Sequence, residues 1–346
     1  MHRDSGSAPR WPAEWEAQAA VLLTWPRLQG DFADHARIHK GMLGMARAIG
    51  AIVPLRISAE SEELRSRILS ELGPLPQPVE IHVAPSNDVW VRDHGPIGVH
   101  MEQQVQLQKF GFDGWGGKYP AQADNALALE WQQRGLWEQT GPLVEQGWVL
   151  EGGAIDTDGQ GTLLATCSSV LDPKRNPGLN RADIETRLRA ALGVERILWL
   201  EHGGLLGDDT DGHVDTLARF VSPEHIVYQS CADPCLPNAP ALQALEQELR
   251  GLRQANGQPY RLTALPHTLA AHDSEDGPLP TSYANFLLLN GHLLLPQYQD
   301  PADTIALATL QAACPELQIT PVDCSALVAQ YGSLHCATMN IPAPPA

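Results

Sequence analysis

Four short clusters in this 346-residue chain combine side chains that can hold charge, move protons or attack carbon. The first, Asn87 to Pro96, packs Asp88, Arg92, Asp93 and His94 beside Trp90 and ends on the turn pair Gly95-Pro96. A loop whose acids pair with its own arginine would read the same way, so this cluster decides nothing alone. The second, Glu151-Gly152-Gly153-Ala154-Ile155-Asp156, follows the apolar run Trp148–Leu150. A carboxylate at a strand end beside two glycines can approach a ligand or a second side chain closely, although an ordinary turn reads alike. The third, Gly207 to Asp215, gathers Asp208, Asp209, Asp211 and Asp215 around His213. His213 and Asp215 lie two apart and would share a face in an extended segment. A metal site would want more His or Cys in a closed ligand set, and an EF-hand would want a longer Asp/Asn ladder closed by Glu. Acid–base or cation-binding chemistry fits this cluster better. The fourth, Tyr331 to Thr338, carries His335 and Cys336 after Gly332. Free cysteine is commonly a small buried apolar residue. The nearby glycine argues for a tight backbone, and an extended segment would point His335 away from Cys336. The expected partner of Cys336 is therefore a distant histidine brought near by folding.

The composition narrows the context. Hydrophobic residues make up 43% and charged residues 18%, which is globular. With 23 basic against 41 acidic residues the net charge is −18. That argues against nucleic acid and suits a cationic ligand, although solubility alone would account for it. No apolar run approaches the roughly 20 residues needed to cross a bilayer. Met1 to Trp11 is polar and has no apolar signal region, so the expected location is the cytoplasm, with no membrane partner. Six cysteines in such a chain are expected to be reduced. Cys231 and Cys235 are crowded by Pro234 and Pro237 with no second pair following, so no zinc is expected there.

The elements that must position these clusters alternate between strand and helix. Ala19–Thr24, Ile52–Ile57, Val79–Val83 and Arg196–Leu200 read as strands. Asp34–Ile49, Ala182–Leu192, Ala239–Arg253 and Ala302–Ala313 read as helices, and so does Ala59–Leu72 with Ser58 as its cap. Phe286–Leu289 and His292–Leu295 form a hairpin around Asn290-Gly291, and Glu316–Val322 leads into a strand. The alternation implies α/β architecture. No G-x-G-x-x-G opens a helix and no P-loop is present. Strand–strand–helix units recur, each with a polar cluster just past a strand, and no composition shift marks a linker. A single domain over residues 1–346 is expected.

Taken together the clusters resemble the agmatine deiminase and bacterial-type peptidylarginine deiminase family. The matching pieces are WVRDHGP at 90–96, FDGWGGKY at 112–119, EGGAIDTDGQGTLLAT at 151–166, KRNP at 174–177, GDDTDGHVDTLARF at 207–220, SYANFLLLNG at 282–291 and GSLHCATMNIP at 332–342. The start, PAEWEAQAAVLLTWP at 12–26, is similar as well. The resemblance implies a five-bladed α/β propeller of ββαβ-type modules around a central active site. It implies Cys336 as nucleophile, His213 as general acid/base, Asp93 and Asp215 as the carboxylates gripping a guanidinium, and Glu151 as the acid orienting the histidine. Ala337-Thr338-Met339-Asn340 departs from the glutamine-rich stretch of many agmatine deiminases, and Asp211 stands where many plant-type members have asparagine.

The implied reaction is cysteine-dependent hydrolysis of a guanidinium, with agmatine and water giving N-carbamoylputrescine and ammonia through a covalent thiouronium, on the way to polyamines. No metal or organic cofactor is expected. The expected partner is a cationic guanidino small molecule; oligomeric state is open, a homo-oligomer included. Trp90 and Trp115 are candidates for lining the site, by stacking or cation–π contact, although tryptophans are also ordinary core residues. Asp88 and Asp211 are further candidates for holding the substrate. Peptidyl-arginine and free arginine are alternative substrates. An amidinotransferase, with an amine replacing water, and a non-catalytic guanidine or polyamine binder are the more remote readings.

Overall fold

The computed structural model describes residues 8–30, 32–137, 140–268, 273–274 and 277–345. Within them one strand–strand–helix–strand pattern is repeated. Ile97–Met101 and Gln104–Gly111 pair antiparallel, helix Gln122–Gln133 follows, and Leu143–Val149 returns parallel to the second strand. The same order is met in three further sheets. They are Ile155–Thr157, Thr162–Thr166 and Arg196–Leu200; Ala218–Ser222, His225–Gln229 and Arg261–Leu265; and Leu287–Leu289, His292–Gln297 and Gln318–Asp323. A short hairpin suffices for each antiparallel pair, whereas each parallel return requires a crossover, which the helix supplies.

The sheet holding the first strand is assembled from both ends of the chain. Met339–Pro342 pairs antiparallel with Gln18–Thr24, which continues parallel to Leu55–Ala59 and then Val79–Val83. The architecture is thus mixed α/β, built from several small mixed sheets. Leu23, Ile57, Ile68, Leu288 and Leu294 are among the residues removed from solvent between these sheets and the helices that cover them.

Several expected elements fall where the sequence puts them. Val79–Val83 and Arg196–Leu200 have the expected bounds, and the first helix spans His35–Gly50 with Asp34 accepting from the Arg37 amide. Asn290 and Gly291 both take positive φ, 44° and 83°, as a two-residue hairpin turn of right-handed strands requires. Other bounds move. The strand expected over 52–57 starts at Leu55. The helix expected from Ala59 starts at Glu62: Ser58 and Ala59 belong to the strand, and the Ser58 hydroxyl donates to the Ala84 carbonyl instead of capping. Ser61 is the cap, accepting from the Leu64 amide at 3.2 Å ahead of Glu62 and Glu63 in the first turn.

The hairpins at 155–166 and 218–229 are not anticipated by pattern, because their strands are buried on both faces and show no alternation. Among the described residues no helix is long and apolar enough to cross a membrane.

Ser61→Ala should lower unfolding free energy by about 1 kcal/mol in a denaturant titration. A loss well below that would contradict the cap assignment.

Candidate active site

The polar clusters occupy one recurrent position in the fold. Each lies in the connection between the last strand of one sheet and the first strand of the next. Asp93 sits on a one-turn helix, Val91–His94, just before Ile97–Met101. Glu151 precedes a 3-10 turn, Gly152–Ala154, that leads into Ile155–Thr157. His213 and Asp215 flank the start of another such turn, Val214–Thr216, ahead of Ala218–Ser222. Asn285 precedes Leu287–Leu289, and Cys336 precedes Met339–Pro342. His213 and Asp215 therefore meet through a turn and not, as the sequence suggests, through a shared face of extended chain.

These residues converge. Cys336 Sγ lies 3.7 Å from Asp215 Oδ2 and accepts from Asn285 Nδ2 at 3.2 Å. Asn285 Oδ1 in turn accepts from the Cys336 and His335 amides at 3.2 and 2.9 Å, which pins the turn carrying the thiol. Asp93 accepts from Trp115 Nε1 at 2.9 Å and from the Gly153 amide at 3.0 Å. His213 Nε2 contacts Glu151 Oε2 at 3.0 Å, and its Nδ1 stands 3.5 Å from Asp93 Oδ1. Glu151 is braced by Arg175, whose Nε donates to both its oxygens at 2.9 and 2.8 Å. Two buried polar atoms at the centre, His213 Nδ1 and Asp215 Oδ1, have no hydrogen-bond partner among the described residues.

A cavity of about 310 Å³ opens onto this centre. Cys336, Asp93, Asp215, Trp90, Trp115 and Asp88, all candidates from the sequence, are in its wall. Tyr119, Asp208, Asp209 and Tyr331 join them, and Arg27 is a basic residue in the same wall. His213 and Glu151 are one layer back, behind Asp93. Asp211 does not line the cavity. Its carboxylate accepts from Lys118 Nζ at 2.7 Å and from Arg175 Nη1 at 2.8 Å, so it reaches the site only through the arginine that braces Glu151. Asp208 accepts from the Thr210 and Gly212 amides and the Thr210 hydroxyl, which holds the 208–212 loop in shape.

Burial and neighbouring charge set the protonation states. The Cys336 thiol is pushed well above its ordinary value, first by burial and then by the charges of Asp215 and Asp93. Asp93 is raised to about 6, mainly by burial, with Asp215 and Glu151 adding to it and His213 opposing. Burial works against a charged His213, but Asp93, Glu151 and Asp215 together outweigh it and lift the imidazole to about 9. Asp215 feels the same burial, yet the bond from His335 and the charges of His335, His213 and Arg219 hold it below the usual carboxylate range. At neutral pH the centre thus holds a protonated thiol, a charged imidazole and two carboxylates.

Gly153 is what allows these groups to meet. A Cβ at this position would stand 2.7 Å from His213 Nδ1, 2.8 Å from Asp93 Oδ1 and 3.0 Å from Asp215 Oδ2. Real Cβ atoms do not tolerate such contacts with three fixed polar groups. Gly153→Ala should therefore displace these groups, lowering kcat/KM by about 10²-fold and the thermal unfolding temperature with it. Wild-type turnover in this variant would show that the three groups need not converge at that point.

Comparison with known proteins places this geometry. The Porphyromonas-type peptidyl-arginine deiminase family matches residues 10–342. An agmatine deiminase of Pseudomonas fluorescens is 34% identical over 370 residues, covering 96% of this chain and 95% of that protein. A solved Porphyromonas gingivalis protein provisionally described as an arginine deiminase is 40% identical, with a TM-score of 0.89 over 96% of this chain and 98% of its own. A serine-for-cysteine variant of C. jejuni agmatine deiminase with substrate bound is 28% identical, with a TM-score of 0.90 over 99% of both chains. By sequence along nearly its whole length and by fold, the chain belongs to the Porphyromonas-type peptidyl-arginine deiminase family.

Proposed function

We propose that the protein is a cysteine-dependent hydrolase of guanidinium groups, with agmatine and water giving N-carbamoylputrescine and ammonia. One observation carries the reading: a thiol and two buried carboxylates face a cavity whose wall holds three more aspartates, Asp88, Asp208 and Asp209. A guanidinium is planar and permanently charged, and carboxylates on its N–H edges hold it in plane. Asp93 and Asp215 take that role, with Asp215 Oδ1 as an acceptor awaiting a donor. Trp90 and Trp115 flank the cation, and Asp88 and Asp209 suit the distal ammonium of agmatine.

The chemistry follows from the charges. The substrate cation offsets the carboxylates that keep the thiol protonated, so Cys336 ionises as substrate binds and its proton passes to solvent. The thiolate adds to the guanidinium carbon and a C–S bond forms. His213 gives a proton to the departing nitrogen, the C–N bond breaks, and ammonia leaves a thiouronium on the enzyme. His213, now neutral, takes a proton from water, whose oxygen attacks the same carbon. The C–S bond breaks, the second proton of the water passes to the Cys336 sulfur, and the neutral ureido product leaves. Glu151, bonded to His213 Nε2 and braced by Arg175, fixes the ring so that Nδ1 handles the proton.

Arg27 in the cavity wall favours a second reading, in which the substrate carries a carboxylate, as free arginine does. The placement of one polar cluster before each sheet supports reading the units as blades of a five-bladed propeller with the site on its axis. A small cytosolic metabolite as substrate suits a cytoplasmic enzyme that feeds polyamine synthesis.

The test is a panel of agmatine, arginine and an arginyl peptide assayed for ammonia and ureido product. Agmatine should give the highest kcat/KM, and Cys336→Ala should reduce it by about 10³-fold or more. Preference for arginine would move the assignment to the second reading, and a transferred amidino group would overturn hydrolysis. On its acid side the kcat/KM profile should fall as the pH drops through about 6, where Asp93 takes up a proton and loses its grip on the cation.

A further inference from the structure

Asp215 is held from behind. Its Oδ2 accepts from His335 Nδ1 at 2.7 Å, and His335 Nε2 lies 2.9 Å from Glu14 Oε2. Both ring nitrogens thus face carboxylate oxygens, and only an imidazolium donates to both. Glu14 comes from the segment just before the first strand, 321 positions away in sequence from His335. It is fixed in place by three more contacts: Arg219 Nη2 at 3.0 Å, Arg92 Nη2 at 3.7 Å, and the Leu288 amide donating to Oε1 at 2.7 Å. Asp156 contacts Arg219 Nε at 3.4 Å and completes the charge set around this hub.

We propose that His335 and Glu14 are positioning residues for the reaction: together they orient the Asp215 carboxylate, keep it ionised, and leave its Oδ1 open to the substrate guanidinium. This rests on the guanidinium reading of the site. Asp215 has two oxygens and two tasks. With Oδ2 tied to His335 and facing the thiol, Oδ1 is buried without a partner and can take a substrate N–H. Without His335, Asp215 would face Asp93 and Cys336 with the charges of His213, Arg219 and Arg92 but no direct hydrogen-bonded cation to favour its charge, and burial would push it toward the neutral acid. A neutral Asp215 neither grips a cation nor offsets its charge. Glu14 acts one step further back, keeping the His335 ring in register from between Arg92 and Arg219.

A residue that merely fills space would not fix the charge of Asp215, and this separates the two roles. His335→Asn retains a donor at the Nδ1 position, whereas His335→Leu does not; Glu14→Gln keeps an acceptor for Nε2 but removes the charge. The ¹³Cγ titration of Asp215, assigned through Asp215→Asn, reads its ionisation with no need for turnover. In His335→Leu the Asp215 midpoint should rise by roughly a unit or more, and in His335→Asn by less. Glu14→Gln should move it in the same direction by a smaller step. With agmatine, His335→Leu should lose about 10²-fold in kcat/KM, and His335→Asn should recover to within about tenfold of wild type. Folded His335→Leu protein with an unmoved Asp215 midpoint would overturn the inference, as would equal activity losses in His335→Leu and His335→Asn. Wild-type protein inactive on every guanidino compound would instead remove the functional reading, and the carboxylate titration would still decide whether His335 and Glu14 govern Asp215.

Discussion

Asp93 and Asp215 lie out of solvent beside the Cys336 thiol, and the cost of keeping two carboxylates ionised there governs what surrounds them. Each is met by compensating partners. Asp93 has an indole N–H, a backbone amide and the His213 charge; Asp215 has His335 with Glu14 and Arg219 beyond it. The residual negative potential is directed at a cavity and keeps the thiol protonated in the absence of a cation. On the proposed reading, affinity for a planar cation and the ionisation of Cys336 are two results of one charge arrangement.

The repeated unit explains how distant stretches of chain produce that arrangement. Connections between successive sheets deliver Asp93, Glu151, His213 with Asp215, Asn285 and Cys336 to one centre. Antiparallel pairing of Met339–Pro342 with Gln18–Thr24 brings His335 and Glu14 together from opposite ends of the sequence. Rigid turns at strand starts locate side chains with little freedom, which suits groups that must act within fractions of an ångström.

Much of the site is legible in the sequence because its residues fall in compact polar motifs. Cys336, Asp93, Asp215, Trp90, Trp115 and Asp88 reach the cavity wall, and His213 and Glu151 stand directly behind it. Asp211 reads as a ligand-holder only because an acidic run conceals which of its members are spent on Lys118 and Arg175. Asn285, Arg175 and Glu14 sit inside the matching motifs, yet nothing local gives them a task, since their partners are remote. His335 is misjudged for a different reason. Treating the segment as extended turns it away from the site, whereas a turn over 334–337 sets it against the same Asp215 that faces the thiol. The doubly buried hairpins escape a reading based on alternation for want of a solvent face.

The central claim is that the nucleophile is uncharged until a cation fills the cavity. Thiolate absorbance near 240 nm, taken as wild type minus Cys336→Ala, tests it most directly. In the free enzyme the difference signal should be negligible at neutral pH and develop only under strongly alkaline conditions. Stopped-flow mixing with propylguanidine at neutral pH should make it appear before turnover. A full thiolate signal at neutral pH in the ligand-free enzyme, unchanged by the guanidine, would contradict the account.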